Sequence, residues 1–573
     1  MRSIPRAASL AAAALLCAAC SSELAAPIGR RDDSPPARGG TITVASFVGL
    51  RSLDPAVAFD EGADPIQRLL FARLVRLSRD GRFEGELAES FETSADGRHL
   101  RFRLRPGARF HDGAPVTAAD VKRSLERALH KRTPCPAPSF YDRIEGFEAF
   151  HSGATHELTG IRIENDSVVR FDLSQPDATF LAVLTLPMAA PVCASGGSSY
   201  EPSFSSRPCG AGPFKLRQWD DHEGLTLGRH DGYAEPGRVW LDSVRWLLEV
   251  PLTTQRFRFE RGALDLLHDL SVADGAAFRR DPRWRGQGEW TVPRMTKGLF
   301  MNSRMAPFDR LEVRRAVAAA IDRDSLARLR GGCVVPADRV IPPGVLGHDP
   351  DFPGQRFDPQ LALDSMRRAG LPFDPATGLG GWPDTIDYVA PADSFDLQFA
   401  EVAQQQLARI GIRLRLKAMA WPAYLARISR AGQARIGAAG WTADFDDPSD
   451  FFEPLFASKS IQDEDSQNYA FYSNPELDAL LERGRAELDP LRRRAIYRKA
   501  EEIVRDEAPW ALAYGYRRFE VWQGYVRGYR PHPHAQLDVG FLWLDRRDSR
   551  GSARSPAWNG NVLASLLPRR GAP

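Results

Sequence analysis

The chain has 573 residues, more than one hydrophobic core usually serves, so two or three domains are expected. Apolar content of 43% and charged content of 26% are those of an ordinary globular protein. With 76 basic against 74 acidic residues the net charge is +2, which excludes the basic excess of a nucleic-acid binder and implies no polyanionic partner.

Arg2 and Arg6 precede a small apolar run at residues 7–19, too short to cross a bilayer as a helix, and the pattern reads as an export signal. The run ends at Cys20 behind Ala18 and Ala19, which resembles a bacterial lipoprotein signal, where that cysteine is lipidated and becomes the mature N-terminus. Cys17 stands where such signals usually carry Leu, and cleavage after Ala26 is the competing reading. Residues 21–40 hold Pro27, Pro35, Pro36, Gly39 and Gly40 among clustered charges, the composition of a flexible tether. No later stretch is long and apolar enough for a transmembrane helix. Cys135, Cys193, Cys209 and Cys333 can form one or two disulfides in an exported chain. Cys193 with Cys209 is the first expectation, because the two flank one Gly/Ser/Pro-rich loop.

Residues 41–47 read as the first strand, and Ser52-Leu53-Asp54-Pro55 turns the chain. Residues 65–77 carry apolar side chains at helical spacing up to Asp80-Gly81. Asp96-Gly97 is a hairpin signal before the alternating strand 99–104. Thr117 and Asp120 form a capping box for a helix through Val121, Leu125 and Leu129. His111, next to Asp112 in a hairpin with no nucleophile at hand, reads as structural. Two short strands share residues 161–173, and the Pro-rich stretch 186–213 reads as a domain boundary before strands at 214–219, 224–229 and 241–250.

From about residue 253 helix and strand alternate, and past Asn302 helices gain clear punctuation. Asp309 with Glu312 is expected to cap one helix, Asp358-Pro359 opens another that Gly370 closes, and a long amphipathic helix ends at Gly411 before the strand 412–416. Asn474-Pro475 and Asp489-Pro490 open two more helices. In such α/β texture a ligand is expected at strand ends and in crevices between domains.

Residues 440–454 place Asp444, Asp446, Asp447 and Asp450 among Trp441, Phe445, Phe451 and Phe452, in a stretch too turn-rich for a regular element. A carboxylate against apolar rings can hold a cation, so the segment reads as one wall of a ligand cleft; a solvated acidic loop over aromatic anchors is the alternative. Nucleotide-binding glycine motifs, H-E-x-x-H and G-x-S-x-G are missing from the sequence, and no catalytic group, metal or cofactor is assigned. His532-Pro533-His534 has no third ligand in view and reads as a surface pair.

Seven landmarks occur in order: Gly39-Gly40-Thr41-Ile42-Thr43-Val44, Leu53-Asp54-Pro55, Leu87-Ala88-Glu89-Ser90-Phe91, the stretch from Phe110 to Val121, Gly212-Pro213-Phe214-Lys215-Leu216, Pro307-Phe308-Asp309 with its following helix, and Gly440-Trp441-Thr442-Ala443-Asp444. Together they resemble the peptide-binding lipoproteins of bacterial ABC importers, the large cluster that includes oligopeptide, dipeptide and nickel-chelate binding proteins. The resemblance implies an α/β, two-lobed periplasmic binding fold of type II with an extra subdomain in the N-terminal lobe, and a monomer that delivers short peptides to an inner-membrane ABC permease. It divides the chain into a signal (1–19), a tether (20–38), subdomain I (39–75, 189–301 and 514–548), subdomain II (76–188), a C-terminal lobe (302–513) and a disordered tail (549–573). Asn302 would lie at the hinge. In peptide-binding members the acid in the place of Asp444 pairs with the α-ammonium of an extended peptide, which places Trp441, Thr442, Ala443 and Phe445 at the ligand, with Phe59 and Glu61 across the cleft and Tyr514 and Tyr516 on the returning chain. Some members have an arginine shortly before the Gly-Trp pair; here Ala438 and Ala439 stand there, with Arg435 nearby, so peptide length is open. A metal chelate or other small solute in the same fold is the alternative ligand, and a peptide-sensing receptor or an exported peptidase are rival functions.

Overall fold

Ile42 and Val44 point to one side of the strand Thr41–Ala45 and are fully buried, as the alternation of a half-buried strand requires. This strand runs parallel to Ser243–Leu247, which pairs antiparallel with Gly224–Arg229, and that in turn with Phe214–Asp220. Parallel neighbours about two hundred residues apart demand a long connection, and this connection holds a second four-stranded sheet as well as the other two strands of the first. The computed structural model describes residues 35–545 apart from 61, 198, 199, 221, 222, 269, 331, 332, 393, 535 and 536. The export signal, Cys20, Glu61 and the tail 549–573 lie outside the described residues.

Subdomain II is a four-stranded antiparallel sheet in the order Ala88–Thr93, His99–Leu104, Val168–Asp172, Ile161–Asn165. Its helix, Ala118–Leu129, starts at the expected capping box, with Thr117 and Asp120 exchanging hydrogen bonds. The helix expected over 65–77 stops early: Asp64–Leu70 is helical, and Val75–Leu77 is a strand paired with Phe83–Gly85 around Gly81. Leu74 and Leu77 fit either period, and the extended backbone at Phe71 decides between them.

A buried ion pair ties these parts together. Arg127 donates from Nη1 to Asp54 Oδ1 at 3.0 Å, from Nη2 to Asp54 Oδ2 at 2.6 Å and from Nε to the Gly196 carbonyl at 2.7 Å, and its guanidinium lies 5.0 Å from the Phe204 ring centroid. The Leu53-Asp54-Pro55 turn, the capped helix and the loop closed by the Cys193–Cys209 disulfide, whose Cα atoms are 5.5 Å apart, are thereby fixed to one another. Removing one partner of such a pair costs roughly 3–5 kcal/mol, because the other is left charged and dry. The two N-terminal subdomains share one continuous apolar core around Phe71, Phe102, Phe171 and Trp246.

The C-terminal lobe is built on a six-stranded sheet in the order Val334–Pro336, Trp510–Tyr516, Met295–Met301, Ile436–Thr442, Thr385–Pro391, Arg413–Met419. Strand alternation sorts its side chains onto two faces. Leu299, Met301, Tyr388, Ala438 and Ala511 pack with the helices Leu311–Ala320, Pro359–Arg368 and Ser394–Ala408. Phe300, Val389, Ala439, Trp510 and Leu512 pack with Ser449–Phe456, Pro475–Ala486 and Pro490–Glu507. Gly298 is required where the central strands bulge, since a Cβ there would meet the Ala511 carbonyl oxygen. The helix Leu311–Ala320 begins at Arg310 with no side-chain cap, so Asp309 does not cap it.

The crossing between lobes falls earlier than expected. Gly288–Thr291 pairs with Arg518–Trp522 in a three-stranded sheet of subdomain I, whereas Met295–Met301 is already a central strand of the other lobe. The joining segments are therefore residues 292–294 and Arg517. Asn302 lies inside the C-terminal lobe, where its side chain donates to the Ala434 carbonyl and accepts from the Arg304 N–H. The change of texture at Asn302 marks the first helix of the lobe, and the lobe itself begins one strand sooner.

Candidate functional site

The segment expected to be irregular is built from two regular elements. Ile436–Thr442 is a strand whose Gly440 and Trp441 face Lys297 and Thr296 of the neighbouring strand, and Ser449–Phe456 is a helix. The run of Ala and Gly at 437–440 lacks β-branched residues, which hides the strand, and Pro448 obscures the helix start. Between the two elements lies the acidic loop.

Asp446 and Asp447 of the loop and Asp450 of the helix hold the loop in place. Asp446 forms an ion pair with Arg294 and accepts from His534 Nε2 at 2.8 Å, and a side chain at Gly81 in subdomain II would come within 3.1 Å of its Oδ2. Asp447 accepts from Arg493 Nη2 at 2.8 Å and, through Oδ1, from the Ser449 N–H and hydroxyl. Asp450, fully buried, accepts the Asp444 backbone N–H on Oδ2 at 2.8 Å. Burial raises the Asp450 carboxyl well above the ordinary carboxylate range, and the charge of Asp444 raises it further, against the Asp444 N–H and the Trp441 indole. The Asp444–Asp450 pair therefore disfavours a double negative charge, and Asp450 is the member that keeps its proton. Asp444 is half-buried, as are Trp441 and Thr442; Ala443 is buried and donates its N–H to the Arg294 carbonyl at 2.7 Å.

Phe445 departs from the role of a C-terminal wall. It is 2% exposed and packs in the core of the N-terminal lobe, edge-on to Phe140 with ring centroids 6.3 Å apart. Phe59 is half-buried against that same core. Tyr514 lies in the C-terminal core at 1% exposure, edge-on to Phe399, and so backs the sheet instead of lining a cleft. Tyr516 is half-buried and accepts from Lys297 Nζ at 3.1 Å, and Lys297 forms a buried ion pair with Asp396.

His532-Pro533-His534 is not a surface pair. His534, 5% exposed, holds Asp446, and burial, with His534 beside it, pushes His532 down to about 2. Its sequence partner lies 88 residues away, so only the fold reveals the contact. His111 stands edge-on to His230 at 4.8 Å, and burial pushes it down to about 3, which fits the structural reading. Arg294 and Lys297 gave no sequence signal, being single basic residues, and Arg493 is the middle one of three consecutive arginines that nothing local distinguishes.

Two α/β lobes joined by two short segments, with an acid-and-aromatic loop spanning the gap, are the architecture of a solute-binding protein. Over residues 82–463, more than half of the chain, the sequence matches the middle region of the bacterial extracellular solute-binding proteins, family 5, and the chain belongs to that family. The glutathione-binding protein GsiB of Escherichia coli O157:H7 is 26% identical over 474 residues, 82% of this chain and 88% of GsiB. The DppA periplasmic binding protein of Helicobacter pylori, in complex with the peptide STSA, superposes with a TM-score of 0.75 at 23% identity, covering 89% of this chain and 99% of that one. The murein tripeptide-binding protein MppA of Escherichia coli gives 0.78 at 22% identity over 89% and 99%, and its unliganded open form gives 0.67. Proteins of this family are binding proteins, not enzymes; they bind peptides or small solutes and work with ABC permeases. Among the described residues no helix is long and apolar enough to cross a membrane.

The acid pair sets a pH dependence. A carboxyl whose folded pKa exceeds its unfolded value stabilises the fold fully below the unfolded pKa and loses that contribution as pH rises through the folded one. For Asp450 the loss begins at about pH 4, the unfolded aspartate value, and continues up to its raised folded value. Asp450→Asn keeps an oxygen for the Asp444 N–H without the charge. Its urea midpoint should exceed that of wild type at about pH 7 and converge with it at about pH 4; equal midpoints at both values would remove the charge penalty from this pair.

Proposed function

We propose that the chain captures short peptides carrying a free α-ammonium in the cleft between its lobes and hands them to an ABC permease. The observation that carries this reading is the position of Asp444. Asp444 sits half-buried between Trp441 and Phe445 just past the end of a central-sheet strand, where the two lobes meet, in a segment that Asp446, Asp447 and Asp450 hold in shape. A carboxylate in such a low-dielectric position meets an ammonium with a charge-assisted hydrogen bond of about 1.5–3 kcal/mol. Glutathione and ordinary tripeptides share this feature, since both present a free α-ammonium. Trp441, Thr442, Ala443 and Tyr516 supply the surrounding wall in this reading, with Phe59 opposite. Retention at the membrane through a lipidated Cys20 belongs to the same proposal and rests on the export signal and the tether that follows it.

Removing Asp444 would strand the ligand's buried cation, which costs roughly 3–5 kcal/mol. Titration calorimetry should show Asp444→Ala weakening free-amine tripeptides and glutathione by about two to three orders of magnitude. N-acetylated peptides should bind wild type poorly and lose little more on mutation. A folded Asp444→Ala protein that binds within about threefold of wild type would take the ammonium site away from Asp444. The intact mass of the mature protein checks the anchor: a chain beginning at Cys20 with added acyl mass is expected, and an unmodified chain beginning at Pro27 contradicts it.

A further inference from the structure

Arg485 lies in the last turn of the helix Pro475–Ala486 of the C-terminal lobe, and although Glu453 of its own lobe is 3.9 Å from Nη1, its hydrogen-bond partners belong to the N-terminal lobe. It is 2% exposed. Nε donates to Asp177 Oδ2 at 2.9 Å, Nη1 to Asp142 Oδ1 at 2.8 Å and Nη2 to the Phe140 carbonyl at 3.2 Å, and the Arg485 carbonyl accepts the Ala178 N–H at 2.9 Å. Subdomain II holds this acceptor site ready, since the Thr179 N–H and hydroxyl both donate to Asp177 Oδ1, at 2.9 and 2.7 Å. Arg143 pairs with Glu482 beside it, Lys459 lies 3.7 Å from Asp142, and Leu488 sits against the hairpin turn at Gly97. Burial pushes the Asp177 carboxyl up, but the Arg485 guanidinium outweighs it and holds the group below the ordinary range.

Such a guanidinium has two satisfactory states and none between. With the lobes apart it and both aspartates are hydrated; with the lobes together it is dry and requires the full fork of acceptors. The ligand loop is linked to the same spot. Asp447 grips Arg493, and Arg493 Nε donates to the carbonyl of Gly484, the residue before Arg485, at 2.6 Å. We propose that Arg485 is an affinity-setting latch, whose engagement with Asp142 and Asp177 fixes the fraction of molecules that are closed and so scales the affinity for every ligand without touching any. This rests on the reading of the cleft as the ligand site. An apparent dissociation constant is the intrinsic one divided by the closed, competent fraction, so weakening the latch multiplies all of them by one factor.

The test uses the full chain, Arg485→Met, and the separate variant Asp142→Asn/Asp177→Asn, with hydrogen exchange and small-angle scattering measured before any peptide is added. Both variants should exchange about tenfold or more faster in residues 138–143, 177–180 and 482–488, with the strand Met295–Met301 unchanged and a larger radius of gyration. Affinities for trialanine and glutathione, where wild type binds them, should fall by one common factor of about ten or more, through faster dissociation. Unchanged exchange and scattering in both variants would overturn the latch, and so would a loss confined to one ligand, which marks a ligand contact. An Asp142→Asn/Asp177→Asn chain that no longer unfolds cooperatively would equally overturn it, because the pair would then serve folding and not closure. The exchange readout needs no ligand, so a wild type that binds neither probe counts against the proposed function and leaves the latch measurement standing.

Discussion

The burial of Phe445 in the opposite lobe is the constraint on which the rest of the site depends. The residue belongs by covalent connection to the C-terminal sheet and by packing to the N-terminal core, beside Phe140. A large aromatic ring removed from water stabilises the joined arrangement by about 1.5–3 kcal/mol and leaves the preceding residue, Asp444, at the seam between the lobes. The neighbouring acids are satisfied locally: Asp446 by Arg294 of a crossing segment and by His534, Asp447 by Arg493, and Asp450 by the Asp444 N–H.

The same economy governs the buried arginines. Arg127 and Arg493 each meet one aspartate in a two-pronged geometry, Arg485 bridges two aspartates, and all three spend a remaining donor on a backbone carbonyl, at Gly196, Gly484 and Phe140 respectively. A guanidinium suits this use because its planar fork fits a carboxylate and loses little freedom in doing so, which a lysine ammonium would not match. Buried pairs of this kind add little net stability compared with apolar packing, but they tolerate only one arrangement. Arg127 fixes elements within a lobe, Arg493 fixes the acidic loop to its own lobe, and Arg485 engages across the seam.

Local chemistry made much of the fold legible. The Thr117 and Asp120 capping box, Asn474-Pro475, Asp489-Pro490 and the Asp358-Pro359 start all mark helices where they stand, because a cap satisfies backbone groups within three residues. The strand Ile436–Thr442 escaped notice because Gly and Ala make it narrow enough to sit beside Lys297 and Phe300, and close packing of that kind leaves no β-branched signature. The crossing at residues 292–294 was hidden for a similar reason, since one strand looks like the next until its partners are known. In the site, Asp444 and Trp441 stood out by composition, whereas Arg294, His534 and Arg493 became visible only with the fold, and Glu61 lies outside the described residues. Contacts made at long sequence range carry no local code.

The central claim is that this cleft holds a small solute by its ammonium group at Asp444. Mass spectrometry of molecules released by denaturing the protein, purified without refolding, tests it most directly. The account predicts small peptides or peptide-like compounds that react with a primary-amine reagent, recovered from wild type and depleted from Asp444→Ala. Recovery of compounds lacking a primary amine, in equal amount from both proteins, would contradict it.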